Sequence, residues 1–134
     1  MISNSQILEG LVVMLEEHTT GLNIYRVPPQ MVEPPAVMVT GFDYTPHLLY
    51  GETARRTEVE LTVVVSARNT DRWDDLLTLI DPTVDSSVVC AVELDPTLDG
   101  TVGSVMVTQV GSIRELSVGE IPMWAATVAV EVMG

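Results

Sequence analysis

Between Thr57 and Ser66 the side chains take turns. Thr57, Val59, Leu61, Val63 and Val65 alternate with Glu58, Glu60, Thr62, Val64 and Ser66. Successive side chains of an extended strand point to opposite faces. The run therefore predicts a strand with one face on a core and an outer face that is acidic near its start. Met123 to Val132 reads the same way, with Trp124, Ala126, Val128, Val130 and Val132 sharing a face, and Val102 to Arg114 is a third long strand. Leu116 to Ile121, with Gly119 inside it, is the expected turn between the last two. Strands with one apolar face need an apolar layer to cover them.

Two helices supply that layer. Ile7, Leu8, Leu11, Val12 and Leu15 fall on one stripe of a helix, with Ser3 and Gln6 at capping-box spacing and Gly21 as its stop. Trp73, Leu76, Leu77 and Ile80 form a second stripe, placed on the sheet with Trp73 in the core; Thr70 can cap it and Asp81-Pro82 end it. Asp85 to Leu94 stays open between strand and short helix. Its valines favour a strand, while Asp85 or Ser86 can cap a helix. Asn23 to Val27 and Ala36 to Thr40 are short strands punctuated by Pro28-Pro29 and Pro34-Pro35, since proline lacks the ladder N–H. Turns are expected at Asp95-Pro96 and Asp99-Gly100.

The segment 41–56, GFDYTPHLLYGETARR, is apolar for a solvated loop and too broken by Gly41, Pro46 and Gly51 for one regular element. Two readings stand: a loop packed on its own domain, or one that packs on another protein. The element order is helix, two strands, long loop, strand, one or two helices, two strands. It predicts a single α+β domain over residues 1–134, a mostly antiparallel sheet with two or three helices on one face.

Composition narrows the function. A net charge of −13, with 19 acids against 6 bases, excludes a basic nucleic-acid footprint and argues against an anionic membrane surface. No apolar run approaches a membrane span, and no basic stretch precedes the first apolar residues as in a signal peptide, so a soluble intracellular chain is expected. The one cysteine, Cys90, lies among valines and reads as a small core residue. His18 reads as a helix-end residue, and His47 lies far from it with no motif around either. Asp71, Asp74 and Asp75 suit the first turn of a helix better than a metal, and no phosphate-cradling glycine loop or Walker lysine exists. No catalytic, cofactor or metal residue is assigned, and no enzyme is expected.

Short pieces between Arg72 and Val107 carry a resemblance. They are Arg72-Trp73-x-x-Leu76-Leu77, then Leu79-Ile80-Asp81, then Ser86-Ser87-Val88 leading to Ala91, then Thr97-Leu98-x-Gly100-x-Val102. With the first helix, the proline pair before a strand and the final strand hairpin, the chain resembles the tail terminator proteins of long-tailed, siphovirus-type bacteriophages. The resemblance implies a structural subunit of the virion, located in the tail at the head–tail junction and assembled in the host cytoplasm. Six copies would form a ring that caps the tail tube, ends its polymerisation and docks the head-side connector. DNA would pass through the lumen without specific binding, and no cofactor would be needed. The resemblance also favours a helix over residues 86–94.

The implied partners are further copies of the chain, the major tail tube protein and the connector. Candidate contacts to a neighbouring subunit or the tube are Tyr44, His47, Leu48, Leu49 and Tyr50, in a loop expected to leave the sheet. Arg55 and Arg56, the only adjacent basic pair, are the other candidates. The same architecture would serve another ring-forming neck protein for head closure or tail completion. A small-ligand-binding or enzymatic α+β domain is the alternative of a different class. It would need an apolar pocket with convergent polar groups.

Overall fold

A computed structural model describes residues 4–19, 21–27, 30–45, 56–67, 71–94, 104–118 and 121–133. In chain order these form α1 (Asn4–His18), β1 (Asn23–Tyr25), β2 (Ala36–Thr45), β3 (Arg56–Ser66), α2 (Asp71–Leu79), α3 (Val88–Glu93), β4 (Ser104–Val118) and β5 (Ile121–Met133). The fold is α+β. Among the described residues five strands make one sheet in the order β1-β2-β3-β5-β4. Only β1 and β2 run parallel; the other three pairs are antiparallel.

The helices cover one face. Ile7, Leu11 and Leu15 of α1, Leu76 of α2, and Val88, Ala91 and Val92 of α3 pack with Val37, Val59, Leu61, Val63, Val128 and Val130 of the strands. Each fully buried Leu or Ile contributes about 1.5–3 kcal/mol. Gly21 has φ +73°, a left-handed conformation free of cost for glycine, and it lets the chain turn from α1 into β1. The Pro34-Pro35 peptide is cis, directly before β2.

The second half of β3 departs from simple alternation. Val32, Ala36, Met38, Val64, Met123 and Ala125 form a smaller cluster on the opposite face of the sheet. Val32 comes from the β1–β2 connection, so that segment folds beneath the sheet and buries Val64 and Thr62 where an outer face was expected.

Other expectations are corrected. Gly41 to Thr45 belong to β2 and pair with Glu60 to Arg56, so these residues are strand and not part of a loop. The register shift at Thr40 makes this possible. It passes Gly41 so close to β3 that a β-carbon there would lie 3.1 Å from Glu60 Cβ. At the other hairpin, β4 runs on to Val118 and β5 starts at Ile121, so Leu116 to Val118 are ladder residues and not part of a turn; Gly119 lies outside the described residues. Two further register shifts, at Val107/Gln109 and Gly111/Arg114, bend β4.

Trp73 is not a core residue: it is 38% exposed and Leu77 is 42% exposed, leaving Leu76 as the buried anchor of α2. The helix lies over β3 and β5, and among the described residues no further layer covers its outward flank. Residues 88–93 are helical, capped by the Ser87 hydroxyl, which accepts from Cys90 N–H at 3.2 Å. The cap is Ser87, not Asp85 or Ser86. Ser3, Thr70 and the turns at 95–96 and 99–100 lie outside the described residues.

Candidate functional site

His47, Leu48, Leu49, Tyr50 and Arg55 also lie outside the described residues. Tyr44 does not leave the sheet: its backbone pairs with Thr57 inside the β2–β3 ladder. Arg56 opens β3 opposite Thr45 and Met133. Its Nε sits 3.9 Å from Glu58 Oε1 of the same chain, a long pair that contributes little.

That end of the sheet is strongly acidic for a reason of register. Asp43 lies directly opposite Glu58, and Glu58 directly opposite Glu131. Three carboxylates therefore stand in one row across β2, β3 and β5, on the face away from the helices, with Glu60 in the next row. Like charges in directly opposed positions repel. The β3 acids were legible in the sequence. The contributions of Asp43 and Glu131 needed the strand pairing.

Next to this row is a shallow groove of about 280 Å³ between Glu60 of β3 and Gln109 and Arg114 of β4, floored by Gly111, Thr127 and Ala129. A second depression of about 320 Å³ lies between α2 and the β1–β2 connection, lined by Leu22, Pro34, Pro35, Val65 and Leu79 with Ser66, Asp75 and Thr78. Its polar groups are already engaged. The Thr78 hydroxyl donates to Asp74 O at 3.0 Å, and Ser66 and Asp75 have interactions of their own. The arrangement gives a ligand no set of free, convergent polar groups.

A third depression, between the end of α1 and α3, holds His18, Asp85, Cys90 and Glu93. Cys90 is therefore not core. It is half-buried on the outer side of α3, and its thiol donates to Pro82 O at 3.0 Å. The core side of that helix is taken by Val88, Ala91 and Val92. His18 is the last residue of α1, with Nε2 3.8 Å from Glu17. Among the described residues no three His, Cys, Asp or Glu side chains are grouped so as to hold a metal ion.

Below α3's cap, Asp81 shapes the connection from α2. Its carboxylate accepts from Thr83 N–H at 2.9 Å and from the Thr83 hydroxyl at 2.7 Å. Those hydrogen bonds, the backbone one foremost, hold its pKa below the usual carboxylate value.

Sequence reasoning missed a set of exposed apolar side chains. Besides Trp73 and Leu77, Val27 is 64% and Met31 76% exposed in the β1–β2 connection. The signal available was their position around Pro28-Pro29, where a strand cannot continue. No helix among the described residues is long and apolar enough to cross a membrane. Comparison with known proteins finds no family model that matches the chain and no curated protein whose sequence matches it.

Proposed function

We propose that this chain is a tail terminator subunit of a long-tailed bacteriophage: a structural protein that forms a hexameric ring on the tail tube. The ring ends tube growth and presents a surface to the head-side connector. The observation that carries the reading is α3. Valine propensity over residues 88–92 favours strand, and the resemblance favours helix; the chain forms a capped helix there. The element order, with one helix before two strands and a strand hairpin at the end, supports the reading, since it resembles the family's order across nearly the whole chain.

Electrostatics is compatible with a DNA conduit. A chain of net charge −13 with a carboxylate row on its open sheet face repels a passing polyanion and gives it no binding site. The role calls for no catalytic residue or cofactor.

The test is imaging of the purified chain mixed with tail tubes, alongside its native mass. Rings seated on tube ends, with the mass of six 14.6 kDa chains, are expected. A monomer that leaves the tube ends bare would overturn the reading. Rings that seat on the head-side connector and ignore the tube would instead indicate another neck protein.

A further inference from the structure

Glu33 has both of its backbone polar groups held by side chains of β1. The Asn23 amide donates from Nδ2 to Glu33 O at 2.8 Å, and the Tyr25 hydroxyl accepts from Glu33 N–H at 3.3 Å. Asn23 and Tyr25 are two residues apart in a strand, so they stand on one face. That is the face away from the helices, since their register partners are Ala36 and Met38. Together they clamp the end of a short strap, Gln30 to Glu33, that covers this face with Val32.

The strap is lightly attached. Gln30, Met31 and Glu33 are exposed; Val32 alone is buried, in the cluster of Ala36, Met38, Val64, Met123 and Ala125. Both clamp bonds lie open to solvent, and none of the four strap residues belongs to a ladder. Past the strap, Asn23 N–H donates to Pro35 O at 3.1 Å, so the β1–β2 pairing does not depend on it. The other face of the sheet differs in kind, because three helices cover it, each with its own buried side chains. A segment with few buried apolar contacts and solvent-exposed hydrogen bonds opens locally, ahead of the rest of the fold.

We propose that the Gln30–Glu33 strap is a releasable cover over a concealed apolar patch. Val32 withdraws and the Asn23–Tyr25 clamp lets go of Glu33, while β1, β2 and the helix-side core stay folded. The open chain displays Met38, Val64, Met123 and Ala125, none of which is more than 5% exposed in the closed one. The device does not rest on the tail-terminator reading.

Buried methionines read the opening in the unaltered chain. Met38 and Met123 belong to the cluster under the strap, whereas Met14 of α1 lies in the helix-side core and, at 8%, is the most exposed of the three. The chain is treated with dilute hydrogen peroxide, and each methionine sulfoxide is followed over time by peptide mass. Met38 and Met123 are expected to oxidise several-fold faster than Met14, although closed-state exposure ranks them the other way. Tyr25→Phe keeps the ring and removes the hydroxyl. It should speed Met38 and Met123 by about threefold to tenfold, the worth of one hydrogen bond, and leave Met14 unchanged. Val32→Ala should speed the same two further. Met14 reacting as fast as the others in the wild type would overturn the cover, because the strap would then open only with the whole fold. So would a Tyr25→Phe chain in which all three rates rise together or none rises.

Discussion

Trp73 meets Trp124 edge to face, with ring centroids 5.2 Å apart and planes at 88°. The contact ties α2 to β5, and it places the more exposed ring over the less exposed one. It also leaves the Trp124 indole N–H buried with no acceptor among the described residues. Trp73 thus acts as a cover over the end of the sheet.

Trp73→Ala should therefore cost about 1–2 kcal/mol, well short of the loss for a fully buried tryptophan. Urea denaturation gives the number. A loss above about 3 kcal/mol would return Trp73 to the core.

Thr57 is fully buried on the helix side of β3, and its hydroxyl has no hydrogen-bond partner among the described residues. A buried unsatisfied hydroxyl costs about 1–3 kcal/mol, so Thr57→Val, nearly the same shape, should raise stability by about 1 kcal/mol. Thermal unfolding of the pair would show it. A lower melting temperature would mean that the hydroxyl has a partner after all.

The row Asp43, Glu58, Glu131 should make the protein sensitive to salt. Glu131→Gln removes the repulsion across one strand pair and should stabilise by about 0.2–1 kcal/mol at low ionic strength. Raising salt should stabilise the wild type and shrink that difference, because exposed charges are screened. A gap that stays constant up to 1 M salt would assign the effect to packing instead.

Ser87 accepts from Cys90 N–H at the start of α3. Ser87→Ala should cost about 1–2 kcal/mol, whereas Ser87→Gly, which also suits a cap, should cost less. Equal losses for the two would mean that burial of Ser87, rather than capping, sets the effect.

Thr83 holds the Asp81 carboxylate ionised to lower pH than usual. A pKa lowered on folding contributes stability above the unfolded carboxylate value, and that contribution is lost as pH falls through the depressed folded value. Thr83→Ala removes the hydroxyl donor and keeps the backbone one. The Asp81 titration, followed by NMR of its carboxyl carbon, should then move up toward the ordinary range without fully reaching it. An unmoved titration would show that the backbone N–H acts alone.

The elements that the sequence specified are those whose side chains alternate or repeat over many residues. Thr57 to Val65 and Trp124 to Val132 read as strands, and Ile7, Leu11 and Leu15 as the buried stripe of a helix, because periodicity is a property of the chain alone. The interface candidates were less legible. They were chosen from an apolar loop, and the part of it that the structure describes, up to Tyr44 and Thr45, is paired strand.

Tertiary packing decided the rest. Val64 and Thr62 look solvent-facing by alternation, but Val32 arrives from another segment to bury that end of the sheet. Trp73 and Leu77 look like core by helical spacing, but α2 meets the sheet with Leu76 and leaves the flank bare. The valines of 88–92 favour a strand by propensity, but the Ser87 cap and the packing on α1 select the helix. The carboxylate row exists only because the register sets Asp43, Glu58 and Glu131 side by side. Local pattern fixes which face of an element is apolar; what covers that face depends on segments distant in sequence, which no local period encodes.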